Sequence, residues 1–422
     1  MSESLKQKTD YFFVIIQYSN RRKCMKLYAS EDEAYQIRTG REIVEAYPEI
    51  YNQWIIQDIK KKLEARAKTR PDIAGGRSIE DIFAIATYDY WQYGIDTPEE
   101  FSHEQLGATD EKKRQYITFR GRFDYIYHLN KKEDMHLLSN KWHAYQLLKD
   151  AYRREVLLLE SEQDFPAFAA FCQRHPTFVV KPVGLGLSLG VRKVEVGDYS
   201  PLLGRGAGGE ALHTLFDQLF IEIETENSHW NCGTEKGVLL EELIEQGEEM
   251  AMLHPASVNS VRMLTINLGD GDIRLWYPYV RIGVGGHFIS SAATGSIVAG
   301  INAGTGVVET TGFDKLGGIT DVHPDTHFTI KGIKIPRWGQ LCQKAIEMSK
   351  RLPTLRYIGW DFVYDKDGEW IVMEGNENAG ISSSQLIHHR GMREEFEQLI
   401  GYHPIKEYWW QGKYPSRFEN IK

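Results

Sequence analysis

Two carboxylates and an amide are placed for metal binding in residues 357–376, whose aromatic and β-branched residues predict a β-hairpin. A two-residue turn signal at positions 367–368 would make Asp361 face Glu374 across the two strands. Strand alternation then puts Asn376 on the same face, and facing Cβ atoms lie about 4.5–5.5 Å apart. Two carboxylates that close repel unless a proton or cation lies between them, and all three side chains offer oxygen ligands that suit Mg²⁺. The pattern therefore predicts a magnesium site, with a solvated acidic face of the hairpin as the alternative.

A glycine-rich loop between two strand-like segments is the second feature whose residue types suggest chemistry. Residues 178–181 indicate a strand that ends in Lys181, and residues 191–196 alternate apolar and polar side chains as a second strand would. The loop between them contributes its glycines and one serine, namely Gly184, Gly186, Ser188 and Gly190. The backbone N–H groups of such a hairpin tip can close over nucleotide phosphates, with Lys181 neutralising their charge. An ordinary flexible hairpin loop is the alternative.

Other interpretations of this loop make different structural predictions. A Rossmann fingerprint needs G-x-G-x-x-G at the start of a helix, and a Walker A loop needs a final G-K-[ST]; the loop has neither. Residues 186–190 do match the G-x-S-x-G nucleophile elbow, with Ser188 as a hydrolase nucleophile and a histidine such as His388 in its triad. The elbow also requires a helix after the serine, where the alternating residues predict a strand. A serine hydrolase therefore stays as a secondary hypothesis.

A third segment could contact a nucleotide through its backbone. Residues 238–244 indicate a buried strand that breaks into the acidic stretch 245–249. The N–H and C=O groups of such a hinge can bind an adenine edge, and a carboxylate beyond it can accept hydrogen bonds from ribose hydroxyls. A solvated acidic loop after a strand is the common alternative.

The elements that must position these groups follow from the residue periodicity. Residues 30–150 carry mostly helical periodicity, whereas residues 175–310 are punctuated by glycine and rich in apolar runs of strand length. A helix is predicted over residues 337–351, before the acidic hairpin. The chain is therefore expected to be an α+β protein with a mainly helical N-terminal region.

Composition and charge exclude several classes of protein. At 422 residues the chain exceeds a single core, so two or three subdomains are expected. The net charge of −9 argues against sequence-independent binding of nucleic acid. The four cysteines form no C-x-x-C pair, so neither a zinc knuckle nor a disulfide framework is expected, and a cytoplasmic location fits best. The longest apolar run near the start, residues 11–16, is too short for a membrane span or a signal peptide.

The order of these motifs resembles that of the ATP-grasp superfamily: a lysine near a helix start, the strand–lysine–glycine loop, the E-E-L-I hinge and the E-x-N hairpin. More narrowly, the chain resembles the sugar-transfer associated ATP-grasp proteins over residues 85–395. The segments that carry this narrower resemblance are residues 93–95, 116–118, 259–265, 279–283 and 359–361. The resemblance implies an ATP-grasp fold, in which two α+β subdomains clasp ATP, after the helical N-terminal region.

The resemblance also implies domain boundaries. It assigns residues 1–135 to the helical N-terminal region, 136–400 to the ATP-grasp domain and 401–422 to a C-terminal tail. Within the ATP-grasp domain, residues 136–245 would form a small lid-type subdomain with the glycine-rich loop, and residues 246–400 the catalytic subdomain.

For function, the resemblance implies an ATP- and Mg²⁺-dependent carboxylate–amine ligase that forms an amide or peptide bond through an acylphosphate. Expected substrates are small carboxylates and amines, with sugar-linked or amino-acid compounds of polysaccharide or secondary-metabolite biosynthesis as one class. Phosphorylation activates a carboxylate, which is otherwise a poor electrophile, and metal ions, lysines and arginines stabilise the transferring phosphoryl group. A kinase of the same fold that phosphorylates a hydroxyl is the nearest alternative, and a non-enzymatic nucleotide-binding scaffold is another.

The resemblance finally assigns roles position by position. The phosphate contacts are Lys141 and Lys181 with the loop residues Gly184, Gly186, Ser188 and Gly190; the adenine hinge is Glu241, Glu242 and Leu243; the ribose contact is Glu248 or Glu249; the Mg²⁺ ligands are Asp361, Glu374 and Asn376; and Arg262 and Arg281 contact the γ-phosphate and the developing oxyanion. Structural salt bridges are the alternative for the two arginines, and an exposed position in the first helical turn is the alternative for Lys141. The sequence departs from the family pattern at Ser290 and Ser291, where an Asp-Asn pair is expected, and has one extra residue before Gly247 in the hinge.

Overall fold

The structure, a computed structural model, describes residues 27–48, 50–184, 188, 190–199, 212–221, 237–290, 295–314 and 316–404. The predicted phosphate contact Gly186, Ser291 and most of the predicted C-terminal tail lie outside these ranges. Among the helices in these ranges, none combines the length and the apolar character that crossing a membrane requires.

Helices dominate the chain before residue 155, as the periodicity predicts. The N-terminal helices are α1 (Glu33–Ala46), α2 (Gln53–Thr69), α3 (Pro71–Ala74), α4 (Ile79–Tyr93), α5 (Thr97–Ser102), α6 (Asp110–Gln115), α7 (Arg122–Leu129), α8 (His136–Ser139) and α9 (Lys141–Tyr152). The later helices are α10 (Phe165–Arg174), α11 (Glu248–Ala251), α12 (Trp338–Lys350), α13 (Ser382–Ile387) and α14 (Arg393–Ile400). Their ends follow local signals: the Ser78 side chain accepts a hydrogen bond from the N–H of Asp81 at the start of α4, and Gly94, with a φ of 74°, ends that helix.

The N-terminal helices build an apolar core of their own. Helices α1 and α2 both pack against α4, and Ile43, Leu63 and Ile85 are buried between them. The same region buries an ion pair, in which Lys113 Nζ lies 2.7 Å from Asp89 Oδ1. The pair is tolerated in the interior because each charge has its partner within hydrogen-bonding distance.

The strands form two antiparallel sheets. They are β1 (Val156–Leu159), β2 (Thr177–Pro182), β3 (Arg192–Glu195), β4 (Val238–Glu242), β5 (Ser260–Gly269), β6 (Asp272–Ile282), β7 (Ile297–Gly300), β8 (Gly312–Phe313), β9 (Ile319–Thr320), β10 (Tyr357–Tyr364) and β11 (Trp370–Asn376). The four-stranded sheet has the order β1-β4-β2-β3, and the seven-stranded sheet has the order β11-β10-β5-β6-β7-β8-β9. The first sheet falls within the residues predicted as the lid-type subdomain and the second within those predicted as the catalytic subdomain, while the boundaries themselves stay a prediction.

The four-stranded sheet carries the glycine-rich loop at the tip of a hairpin. Strand β2 pairs with β3 in antiparallel register, from Thr177 opposite Glu195 to Val180 opposite Arg192. Helix α10 lies against this sheet, and its Phe171 packs in the sheet's apolar core. The strand predicted after the loop is therefore confirmed.

The seven-stranded sheet has the larger core. Helix α12 packs on β5, β6 and β11, and helix α9 packs along β11. Trp360 of β10 is fully buried, and its Nε1 donates to Ser349 Oγ of α12 at 2.9 Å. Helices α9 and α12 thus pack against the strands β10 and β11, which carry the acidic residues, and hold them in place.

Two amide side chains join the N-terminal region to this sheet. Asn130 donates from Nδ2 to the carbonyl oxygens of Tyr357 and Glu377, and it accepts from the Tyr357 N–H, each at 2.8 Å. Gln385 accepts from the Ile117 N–H at 2.8 Å and donates to the Ile117 carbonyl at 2.9 Å. Because Tyr357 begins β10 and Glu377 follows β11, Asn130 holds together the open end of the acidic hairpin.

Candidate functional site

Nine of the predicted residues line one cleft between the two sheets. The cleft is concave and open to solvent at its mouth. The predicted residues that line it are Lys141, Lys181, Ser188, Glu241, Glu242, Leu243, Arg281, Asp361 and Glu374. The predicted residues in the described ranges that do not line it are Gly184, Gly190, Glu248, Glu249, Arg262 and Asn376. The cleft thus gathers residues from strands of both sheets and from the start of α9.

The acidic hairpin has the predicted register at the site and a different register near its turn. Asp361 pairs with Glu374, as predicted, whereas the next residue, Phe362, pairs with Val372. Met373 is therefore an extra residue in β11, and it forms a β-bulge directly before Glu374.

The predicted two-residue turn is wrong by one residue. The Asp365 N–H donates to the Glu369 carbonyl at 2.8 Å, which leaves a three-residue loop over 366–368. Gly368 has a φ of 76°, the left-handed conformation that such loops require. A three-residue loop alone would turn Glu374 to the opposite face from Asp361, and the bulge restores the pairing.

Two arginines neutralise Asp361. Arg262 binds both carboxylate oxygens, with Nε 2.6 Å from Oδ1 and Nη2 2.7 Å from Oδ2, and Arg281 Nη1 lies 2.9 Å from Oδ1. Asn376 Nδ2 lies 3.3 Å from Oδ2. Burial raises the pKa of Asp361, but the charges of the two arginines outweigh burial and hold that pKa below its usual range. Asp361 is therefore an ionised counter-ion beside the cleft.

Of the three predicted metal ligands, Glu374 and Asn376 have side-chain oxygens that no arginine of the described residues binds, and only Glu374 of these two lines the cleft. The acceptor positions of Asp361 are taken by the arginines and the Asn376 amide, so its metal contact stays a prediction that requires one donor to move. Glu374 lines the cleft, with 35% of its side chain exposed. Mg²⁺ is commonly held by one or two carboxylates together with phosphates, so this donor set fits it. In the described ranges, no group of three His, Cys, Asp or Glu side chains could hold a metal by itself.

Lys181 is held in the cleft by Glu241. Lys181 Nζ lies 2.8 Å from Glu241 Oε2, and Arg154 Nε lies 3.0 Å from the same oxygen. Burial raises the pKa of Glu241, but the charges of Lys181 and Arg154 outweigh burial and lower that pKa to about 2. The Glu241 side chain therefore binds two cations, and the hinge role of its backbone stays a prediction.

Acid is expected to weaken the fold through Glu241. Its folded pKa of about 2 lies below the ordinary value of 4.5, so its stabilisation is present above that value and is lost as the pH falls towards 2. The free energy of unfolding of a Glu241→Gln variant should consequently change less with pH across this window than that of the wild type. Urea unfolding of both proteins at successive pH values measures the difference, and parallel pH profiles would contradict the prediction.

Lys141 is the first residue of α9 and points into the cleft. Asn140 caps the helix, with its Oδ1 accepting from two N–H groups of the first turn at 2.9 and 3.0 Å. Lys141 Nζ lies 4.0 Å from Glu374 Oε1, and only 13% of the lysine side chain is exposed. Burial lowers the pKa of Lys141; the Glu374 carboxylate opposes this shift and the charge of Lys181 adds to it. An exposed first-turn lysine, the alternative considered from the sequence, does not describe this residue.

Glu248 and Glu249 are not brought to the cleft. Both are exposed in the first turn of α11. That helix begins after Gly247, which packs so closely on the acidic hairpin that an added Cβ would lie 2.6 Å from the Asp365 carbonyl oxygen. The chain therefore leaves the cleft before it reaches the two glutamates, and their ribose contact stays a prediction without geometric support.

Ser188 lines the cleft without the surroundings of a nucleophile elbow. It has a φ of 59°, and the next regular element is strand β3. His388, the triad candidate, packs instead against Tyr277, with ring centroids 4.8 Å apart. Because the elbow requires a strand–turn–helix unit, the hydrolase hypothesis lacks its structural basis.

Two buried residues near the site, Tyr279 and Arg154, were given no role from the sequence, although Tyr279 lies in one of the segments that carry the family resemblance. The Tyr279 ring lies under Arg281, 5.6 Å from the guanidinium carbon, and its hydroxyl is 3.4 Å from Arg281 Nη2. Strand alternation could have found it, since it lies two residues before Arg281 in β6. Arg154 lies between α9 and β1 and binds the Val372 carbonyl, 218 residues away. No local pattern predicts a contact at that separation.

Comparisons with known proteins agree with the motif order. A model of the sugar-transfer associated ATP-grasp family matches residues 120–400, which is more than half of the chain. A search of curated proteins gives no match.

Several solved structures resemble the chain in part. An ATP-grasp ligase, PsnB complexed with a minimal precursor, is 15% identical and matches over 61% of this chain and 57% of its own, with a TM-score of 0.35. VanG D-Ala:D-Ser ligase from Enterococcus faecalis is 15% identical over 66% of this chain and 65% of its own, with a TM-score of 0.37. The match therefore spans less than two thirds of either protein, and the assignment rests on the family model. By that match, the chain belongs to the sugar-transfer associated ATP-grasp family, as the resemblance predicted.

Proposed function

We propose that this chain is an ATP- and Mg²⁺-dependent ligase that joins a carboxylate to an amine through an acylphosphate. The observation that carries the proposal is the convergence of Lys141, Lys181 and Arg281 on a cleft that also contains Glu374. Three cations that line one cleft suit a polyphosphate, although each is paired with a carboxylate of the cleft and the chain as a whole has a net charge of −9. Membership of the ATP-grasp family supports ATP as that ligand.

The two walls of the cleft take different parts in this proposal. Lys141 and Lys181 bind the phosphates, and Leu243, which follows β4, presents its backbone to the adenine. Glu374 and Asn376 hold Mg²⁺, which neutralises phosphate charge as a Lewis acid. Arg281 stabilises the negative charge that develops on the transferring phosphoryl group and on the tetrahedral oxyanion.

Asp361 keeps the arginines in place for this role. Its carboxylate binds Arg262 on one side and Arg281 on the other, so both guanidinium groups are oriented before any substrate binds. Groups fixed in advance stabilise a transition state without reorganising during the reaction. An amine that attacks an activated acyl group needs little further base catalysis, which agrees with a site built mainly of charged groups.

The acceptor decides between a ligase and a kinase of the same fold. Small carboxylates and amines, including sugar-linked and amino-acid compounds, are the substrates that the proposal favours. Incubation with ATP, Mg²⁺ and a panel of acids should give hydroxamates when hydroxylamine is present, because hydroxylamine traps acylphosphates. A stable phosphoester in its place would show a kinase, and ATP binding without turnover on any acid and amine would show a scaffold.

Arg281 is expected to act on the chemical step. An Arg281→Met variant should lose about 10²–10³-fold in kcat for ADP release, the effect of removing one donor to a developing oxyanion. The matched control is Arg274→Met on the same strand, an arginine that is 58% exposed and paired with Asp272, for which we expect unchanged kcat. A kcat that falls equally in both variants would contradict the role of Arg281.

A further inference from the structure

Arg154 is a buried, extensively bonded charged side chain at the boundary between the two sheets. It follows α9, and only 3% of its side chain is exposed. Its guanidinium contacts Glu241 Oε2 through Nε at 3.0 Å and through Nη2 at 2.9 Å. It also donates to the main-chain oxygens of Tyr152 at 3.3 Å, Val372 at 2.7 Å and Met373 at 3.1 Å. These contacts are as many as the guanidinium has N–H groups.

The two contacts to β11 are made at the β-bulge. In a regular strand, successive carbonyl groups point in opposite directions, so one side chain does not reach two in a row. Arg154 reaches both Val372 and Met373 because Met373 is the extra residue of the bulge. The planar guanidinium group carries its N–H donors side by side, so it can donate to two carbonyl groups that point to the same side of the strand.

The bulge decides which residues face the cleft. Between the turn and the bulge, Val363 pairs with Ile371 and Phe362 with Val372. Continued without the bulge, this register would place Met373 opposite Asp361 and turn Glu374 to the other face of the sheet. The Arg154 side chain thus binds the main chain at the irregularity that orients Glu374.

We propose that Arg154 is a positioning residue for magnesium, because it holds the bulge that directs Glu374 and Asn376 to the nucleotide. This inference rests on the function proposed above. Arg154 touches neither metal nor substrate, and it acts through the main chain of β11. Its bonds to Glu241 give it a second connection, since Glu241 holds Lys181 on the opposite wall of the cleft.

The test compares Mg²⁺ binding with nucleotide binding in an Arg154→Lys variant. Lysine keeps the charge that Glu241 needs but has three donors on a single nitrogen, so it cannot hold both bulge carbonyls and Glu241 in the same geometry. Calorimetry should give a Mg²⁺ affinity of the ATP-saturated protein that is about 10–100-fold lower than in the wild type, the usual effect of losing a residue that orients a metal ligand. ATP affinity without Mg²⁺ should change far less than the Mg²⁺ affinity, because both lysines of the cleft are intact and the lysine at position 154 keeps the charge beside Glu241.

The matched control is Arg174→Lys. Arg174, the last residue of α10 beside the four-stranded sheet, pairs with Glu155, but 54% of its side chain is exposed. We therefore expect the Mg²⁺ affinity of this variant to be unchanged. Thermal unfolding shows whether each variant is folded. If Arg154→Lys is not folded, Arg154→Gln takes its place, because the glutamine amide still offers a donor to one of the two carbonyls.

The outcomes separate this inference from the proposed function. Equal losses of Mg²⁺-dependent and Mg²⁺-independent ATP binding would show that Arg154 only stabilises the fold, and an unchanged Mg²⁺ affinity would show that the bulge does not depend on it. Either result would overturn the inference and leave the ligase proposal intact. A wild-type protein that binds no ATP would overturn both.

Discussion

A Glu374→Gln variant is expected to lose Mg²⁺-dependent ATP binding by about 100-fold or more, since a direct ligand should matter at least as much as a residue that orients one. Glu374 is a carboxylate of the acidic hairpin that lines the cleft and, unlike Asp361, is not bound by any arginine that the structure describes; Lys141 Nζ lies 4.0 Å from its Oε1. The substitution keeps the side-chain volume and removes the charge that a divalent cation needs. Calorimetric titration with ATP in the presence and in the absence of Mg²⁺ measures the two affinities separately.

The same hairpin supplies the control for this experiment. Glu369, beside the turn, is 45% exposed and pairs with Arg337 on the surface. A Glu369→Gln variant removes one carboxylate from the same hairpin, next to its loop, and should bind ATP and Mg²⁺ as the wild type does. If ATP binding by Glu374→Gln depends on Mg²⁺ as strongly as in the wild type, Glu374 is not a metal ligand, and the acidic hairpin is a solvated face.

The largest effect on stability is expected from Asp361→Asn. Removing one partner of a buried ion pair costs about 3–5 kcal/mol of unfolding free energy, because the other charge stays buried without compensation. Here the side chain of Arg262 is 8% exposed and that of Arg281 is 18% exposed, and Asp361 is the carboxylate that both bind. Urea unfolding at neutral pH, where Asp361 is ionised, gives the free energy directly.

A surface pair of the same chemistry provides the comparison. Asp272 binds Arg274 through both oxygens at 2.6 and 2.9 Å, yet the two side chains are 46% and 58% exposed. Asp272→Asn should therefore cost at most about 1 kcal/mol. If both variants lose the same small amount, Asp361 does not hold two buried charges, and the arrangement of the arginines described above is wrong.

The acidic hairpin shows how far residue patterns alone can predict a site. Alternation and a turn signal place Asp361 opposite Glu374, and the structure agrees at that pair. The predicted turn is nevertheless one residue too short. The predicted pairing of Asp361 with Glu374 is still correct, because Met373 is an extra residue in β11 and compensates for the longer loop. A bulge has no strong sequence signal here, since Met373 is an ordinary strand residue.

Contacts between distant segments set the limit of prediction from sequence. The family resemblance gave Arg262 and Arg281 a phosphate role, but only the packing of β5, β6 and β10 shows that both first bind Asp361. In the same way, the segment after β4 was expected to reach the ribose, and the close packing of Gly247 on the hairpin directs it elsewhere. Residue types alone indicated charged groups that suit a nucleotide and a metal ion. The salt-bridge partners of these groups, and the direction in which the chain continues after β4, could be read only from the fold.

The amide contacts of Asn130 and Gln385 bear on how the protein unfolds. Both side chains satisfy buried main-chain groups across the boundary between the N-terminal region and the seven-stranded sheet. Separation of the two parts would exchange these hydrogen bonds for hydrogen bonds to water, and each one contributes about 0.5–1.5 kcal/mol to the stability of the joined state. We therefore expect the helices and the sheet to unfold together, and a fragment cut at residue 136 would lose the Asn130 contacts that close the open end of the acidic hairpin.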